Sequence, residues 1–161
     1  MTKYPDNPYL AAKIAMEEAV LHAAEKGVPA IVLNPTAFYG PYDRKPTSGT
    51  QLLMIAKRQM PGFLEGPINA IDVRDVAIVH MNADEKGRIG ERYIIGNWNT
   101  TQRELTRLMA KVSGVSPPAI PIPFPVARVG SQFGDWVSRR ILKKRPPVPA
   151  FFVEVFQHFQ Q

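Results

Sequence analysis

The sequence predicts an α/β protein whose parallel sheet is only partly encoded in the chain, accompanied by a small, mainly helical part. Three observations carry that prediction. A helical stretch from Tyr9 to Lys26, rich in Ala, Leu, Met and Glu and free of Gly and Pro, is followed by Gly27 and the apolar run Val28-Pro29-Ala30-Ile31-Val32-Leu33. Branched residues in an uninterrupted apolar run read as a strand buried on both faces. A long helix, a Gly turn and such a strand make half of an α/β repeat, yet the 161-residue chain as a whole offers several helices but one wholly buried strand and at most one more of that kind.

The first helix has a defined start, because Asn7 can serve as N-cap and Pro8 suits the first helical position. Leu10, Ile14 and Leu21 form one stripe, with Ala11, Ala15 and Ala19 beside it as a small-residue face suited to lying closely on a sheet. After Asn34-Pro35 the composition turns aromatic and rich in Gly and Pro, so Thr36 to Thr47 reads as a loop at the carboxyl end of a parallel strand, where open sheets place their ligands. A helix is expected over Thr50 to Gln59, closed by Pro61-Gly62; then a short strand, Ile68 to Ile71, with Asp72 capping a helix from Val73 to Asn82. Gly87 and Gly90 turn the chain into a strand from Arg92 to Ile95. Thr101 and Glu104 have the spacing of a capping box, opening a helix to Val112 that stops at Ser113-Gly114. The prolines that follow leave room for a short edge strand, Ala119 to Ile122, then a helix from Val126 to Leu142 weakened by Gly130 and Gly134, and a last apolar helix from Phe151 to Phe159.

Composition narrows the function. The chain has no Cys, so disulfides, thiolate nucleophiles and cysteine-ligated metals are excluded. Three His without an HExxH pattern argue against a zinc site, and no metal is expected. No apolar run reaches the roughly 18–20 residues of a membrane span, and Met1 to Asn7 lack a signal-peptide core, so a cytoplasmic location is expected. Twenty Lys and Arg against 14 Asp and Glu give a formal charge of +6. Arg139, Arg140, Lys143, Lys144 and Arg145 supply most of it without an intervening acid. A cationic helix end is the plain reading of that run. The absence of interleaved aromatics disfavours nucleic acid, whereas Phe151, Phe152, Phe156 and Phe159 beyond it permit peripheral membrane contact.

Tyr9 and Lys13 stand four apart on the first helix and so share a face. A nearby ammonium favours the ionised form of a phenol, and such a phenol can exchange a proton with a substrate hydroxyl or carbonyl. The pair occurs by chance on many helices; here the helix feeds a strand that ends in Asn34-Pro35-Thr36, so the three can meet at one crevice.

Four ordered blocks, Tyr9-Leu10-Ala11-Ala12-Lys13, Asn34 to Asp43, Asp72-Val73-Arg74-Asp75-Val76-Ala77 and Gly90 to Gly96, resemble the extended short-chain dehydrogenase/reductase family of NAD(P)-dependent epimerases, dehydratases and dihydroflavonol-reductase-like enzymes. Asp43 to Thr47 and Gly87 to Tyr93 are most similar to the dihydroflavonol-reductase-like and hopanoid-associated sugar epimerase branch. The resemblance implies a Rossmann-like fold, NAD or NADP as cofactor, Tyr9 as acid/base and Lys13 as a nicotinamide-ribose ligand, with Asn34, Pro35 and Thr36 bordering the nicotinamide. Tyr39 and Arg74 would contact a small-molecule substrate such as a sugar, a sugar nucleotide or a flavonoid-like ketone. Each has a plainer reading: Pro35 as a loop stiffener, Thr36 as a cap, Tyr39 as an aromatic plug, Arg74 as a solvated helix residue and Asp72 as a cap.

The family's Gly-rich turn after its first strand, where the backbone meets the pyrophosphate, has no counterpart here, since no Gly-x-Gly-x-x-Gly spacing occurs in the 161 residues. The expectation is therefore the C-terminal portion of such an enzyme, inactive alone. Its Rossmann part would take about 8–39 and 66–96, and its substrate subdomain about 40–65 and 97–161. A complementing N-terminal half or a homo-oligomer is the expected partner, covering apolar surface at Leu10, Ile14 and Ile31 to Leu33. The alternative is a non-catalytic interaction module, or a remnant of such an enzyme, that binds a protein through its open sheet edge.

Overall fold

The computed structural model describes residues 7–140. Helix α1 (Pro8–Glu25) starts where its capping residues dictate, the Asn7 side chain accepting from the backbone N–H of Tyr9 (3.0 Å) and Leu10 (3.2 Å). Two of the otherwise unpaired first-turn donors are satisfied in this way. Gly27, at φ +95°, turns the chain, and the Val28 N–H closes the helix end on the Ala23 carbonyl. Strand β1 (Val32–Pro35) therefore begins four residues later than the apolar run suggests. The Val28 N–H is already used, Pro29 has none to offer, and Val28 is 49% exposed. Nor is β1 wholly buried: all four of its residues are half-buried.

Strand β1 pairs in parallel with β5 (Arg92–Ile95), from Val32 opposite Arg92 to Pro35 opposite Ile95. One residue further, at Thr36, the chain changes neighbours. Strand β2 (Ala37–Tyr39) runs parallel to β4 (Pro67–Asp72), Ala37 opposite Ala70 and Tyr39 opposite Asp72. Strand β6 (Trp98–Thr101) completes this second sheet in the order β2-β4-β6. The sequence reading placed a loop at Thr36 to Thr47 and no strand at Trp98; three- and four-residue strands are specified by the β4 edge they meet rather than by their own composition.

Helix α3 (Val73–Lys86) follows β4 directly, capped by Asp72 as expected but four residues longer than its polar end suggests. Helix α2 (Ser48–Ala56) starts earlier than predicted and is closed by Lys57 and by Arg58 at φ 56°. Strand β3 (Phe63–Leu64) pairs in parallel with β7 (Pro121–Ile122). Helix α4 (Gln102–Val112) has the predicted capping box between Thr101 and Glu104, and α5 (Phe124–Arg140) begins two residues before the predicted Val126. Leu142 and the helix expected over Phe151 to Phe159 lie outside the described residues.

The chain divides into two interleaved units, Met1–Arg44 with Asn69–Asn99, and Lys45–Ile68 with Thr100–Gln161. In the first, Ile71, Val76 and Ile95 are buried, with Leu33 and Val79 packed against them. On its helix α1, Leu10, Ala11, Glu17, Leu21, Ala23 and Ala24 are half-buried while Ala15 and Ala19 are exposed, so of the predicted small-residue face only Ala11 is covered. Of the apolar residues expected at the surface, Ile14 is exposed (39%) while Leu10 and Ile31 to Leu33 are half-buried; Ile94 (82%) and Met81 are more exposed than any of them. In the second unit the buried positions Gln102, Leu105, Thr106, Met109 and Ala110 recur at helical spacing on α4, and α2 and β3 pack against that helix. Gln51 Nε2 donates to Gln102 Oε1 and Thr106 Oγ1 there, satisfying two buried polar side chains. Alternating helices and small sheets built on parallel strand pairs make this an α/β fold of Rossmann-like kind.

Candidate active site

Helix α1 presents Tyr9, Lys13 and Glu17 at successive turns of one stripe. Tyr9 is 47% exposed, and the Lys13 ammonium stands over its ring, 5.8 Å from the centroid, in cation–π geometry. Glu17 fixes the stripe against the sheet. Its carboxylate accepts from Asn34 Nδ2 (2.9 Å) on β1 and from the Arg92 guanidinium (2.9 Å) on β5. The Arg92 hydrogen bond, followed by that of Asn34, holds the Glu17 carboxyl below the usual carboxylate range.

Thr36 sits where the chain passes from one sheet to the next. Its N–H donates to the Ile95 carbonyl (2.9 Å), the last ladder bond to β5, and its hydroxyl donates to Asn69 Oδ1 (2.8 Å) on β4. The same Oδ1 accepts the Asn97 N–H (3.1 Å), and Asn69 Nδ2 donates to Asn99 Oδ1 (2.6 Å). Asn97 lies in the second crossover, between β5 and β6. One amide therefore joins both points at which the chain switches sheets. It leaves no room for a side chain at Gly96, where an added Cβ would lie 2.5 Å from Asn69 Oδ1.

The two residues proposed for the substrate side are held differently. Tyr39, the last residue of β2, is half-buried, and burial pushes its phenol up to about 12. Arg74 turns back on the cap of its own helix: Nε and Nη2 reach the two Asp72 oxygens at 2.9 and 2.6 Å, and its backbone N–H donates to Asp72 Oδ1 at 2.8 Å. This bidentate contact holds the Asp72 carboxyl down at about 2. Asp72 is thus the acid that orients Arg74. An open groove of about 490 Å³ in the same unit is lined by Leu33, Ile71, Val79, Lys86, Tyr93 and Ile94 among others, and by none of the predicted site residues.

Glu17 and Asn69 were not singled out in the sequence. For Glu17 the signal was present, since it continues the Tyr9–Lys13 spacing by one more turn. Asn69 interrupts an otherwise apolar strand, Ile68-Asn69-Ala70-Ile71, and a lone amide there points to a side-chain network.

Residues 1–96 match the model of the NAD dependent epimerase/dehydratase family. The chain belongs to that family, and its fold is of the NAD(P)-binding type. A candidate dihydroflavonol 4-reductase of Synechocystis sp. is 32% identical over 151 residues, covering 88% of this chain and 42% of that protein. Sterol demethylase protein B of Methylococcus capsulatus is 28% identical over 144 residues, 89% of this chain and 44% of its own. The crystal structure of a nucleoside-diphosphate-sugar epimerase from Pseudomonas aeruginosa, PA4631, superposes with a TM-score of 0.75 at 29% identity, over 84% of this chain and 45% of that one. For gox2253 the values are 0.71, 34%, 92% and 45%. The chain therefore spans less than half the length of these relatives.

Proposed function

We propose that this chain supplies the proton-transferring and ribose-binding part of an NAD(P)-dependent reductase or epimerase that acts on a hydroxyl or carbonyl carbon of a sugar, sugar nucleotide or dihydroflavonol-like substrate. The observation that carries the reading is the Glu17–Asn34 contact. From it, one turn back along α1 rises ~6 Å to Lys13, and two residues of extended chain from Asn34, past the end of β1, advance ~6.6 Å to Thr36. With α1 and β1 running in opposite directions through the Gly27 turn, such a register would set Lys13 level with Thr36 and Tyr9 one turn beyond.

The donor set suits the nicotinamide-ribose end of the cofactor: a part-exposed phenol, an exposed ammonium on the same face, and a strand end whose Thr36 is fixed from both sides. Bound there, the nicotinamide supplies or accepts hydride. Lys13 would donate to ribose hydroxyls and keep positive charge beside Tyr9, whose phenol would pass its proton to the substrate oxygen during reduction and take it back in oxidation. Asn34 and Pro35 would form the wall beside the nicotinamide, and Tyr39 and Arg74 would face the substrate. The pyrophosphate cradle would come from residues outside these 161, leaving the chain inactive by itself. Residues about 8–39 and 66–96 form the cofactor part in this reading, and about 40–65 and 97–161 the substrate part. The dihydroflavonol-reductase-like branch is favoured by the Synechocystis relative.

The test is a titration of NADH and NADPH fluorescence with the chain alone, expected to show no saturable binding, repeated with the Gly-rich half of a relative supplied as a second chain. Binding and turnover should then appear, with Tyr9→Phe lowering turnover by about 10²–10⁴-fold while cofactor binding remains. Full turnover by Tyr9→Phe would overturn the proton-transfer role. Binding without turnover in the assembled pair would favour an interaction module.

A further inference from the structure

Helix α5 carries four large apolar side chains on the side turned away from its packing. Phe124, Ala127, Ser131 and Gly134 are half-buried, whereas Val126, Val129, Phe133 and Trp136 are between 55% and 67% exposed. At 100° per residue these four fall within an arc of about 80°, a stripe ~15 Å long. The Phe133 and Trp136 rings stack on one another at 6.1 Å. Immediately beyond, the sequence reads Arg139, Arg140, Lys143, Lys144, Arg145, five cations without an acid.

We propose that α5 lies flat on an anionic lipid bilayer, with Val126, Val129, Phe133 and Trp136 among the acyl chains, and that the charge of the basic sequence beginning at Arg139 favours anionic over neutral lipid. An outward apolar stripe continued by a basic run is the pattern of helices that lie in the membrane interface. Among the described residues no helix is long and apolar enough to cross a membrane, so the contact is peripheral. Nucleic acid fits less well. The aliphatic half of the stripe offers bases neither hydrogen bonds nor stacking, and the two rings already stack on each other. The inference stands on α5 alone and does not depend on the oxidoreductase reading.

The chain contains two Trp, so Trp98→Phe leaves Trp136 as sole reporter. Phosphatidylcholine vesicles containing phosphatidylglycerol should shift Trp136 emission to the blue and co-sediment the chain; the unmodified chain should co-sediment equally, so the result does not hang on that variant folding. Binding should be weaker by about tenfold or more on pure phosphatidylcholine and at high salt. The pair Val129→Asp and Phe133→Asp, with circular dichroism unchanged, should abolish it. Four results would overturn the proposal: no binding to anionic vesicles, undiminished binding by the Asp pair, a blue shift with an oligonucleotide in place of lipid, or a lipid-free shift that tracks dimer formation in sedimentation.

Discussion

Replacing Gly96 by Ala tests whether Asn69 joins the two sheet crossovers, because the three heavy atoms nearest an added Cβ all belong to the Asn69 amide, at 2.5, 3.0 and 3.2 Å. Ordinary carbon contacts are close to 3.5 Å, so the amide must swing aside and release the Thr36 hydroxyl and the Asn97 N–H. At about 0.5–1.5 kcal/mol per hydrogen bond, and with these groups partly solvated, the loss is roughly 1.5 kcal/mol. Asn69→Ala removes the third bond as well, to Asn99, and should cost about 2 kcal/mol. In the double variant the obstruction is gone, so Gly96→Ala becomes nearly neutral and the pair costs about as much as Asn69→Ala alone. Urea unfolding followed by far-ultraviolet circular dichroism reads this directly, since about 2 kcal/mol lowers the midpoint by roughly 1 M. Stabilities of the two single variants that add within about 0.5 kcal/mol would refute the shared network.

Asp72 carries a pH dependence of definite sign. Its folded carboxyl lies at about 2, mainly through the Arg74 side chain, so its contribution is complete above about pH 4 and is lost as the pH falls towards 2. The stability gap between the chain and Asp72→Asn should accordingly be flat above about pH 4 and close below it, a pattern that acid-series thermal melts would show; a gap that survives at the acid end contradicts the ion pair. Glu17→Ala should loosen α1 from the strands without touching α4: amide hydrogen exchange is expected to rise by roughly tenfold in α1, the equivalent of about 1.4 kcal/mol, and uniform or absent changes would show that Glu17 does not anchor the helix.

Local chemistry made several elements plain from residue order. Asn7-Pro8 opens α1 and Gly27 closes it; Thr101 with Glu104 starts α4; Asp72 starts α3; Arg92 to Ile95 is a strand with the predicted bounds. Caps, turns and apolar periods act within one or two helical turns, so the residues concerned carry their own instructions. The Tyr9–Lys13 pair was legible for the same reason, being two side chains on one helix face. The late start of β1 was a local matter too, since the hydrogen bond spent at Val28 and the N–H absent from Pro29 take those residues out of the ladder.

Strands β2, β3 and β6 lacked any such signal. Each has two to four residues and exists because β4 or β7, far along the chain, offers an edge at the right register. The same distance separates Glu17 from Asn34 and Arg92, and Asn69 from Thr36, Asn97 and Asn99. Residue types at a spacing can nominate a phenol and an ammonium. The seating of their helix on the strands depends on contacts between segments 17 to 75 residues apart, which form only once the backbone has folded and fixed which carboxylate meets which amide.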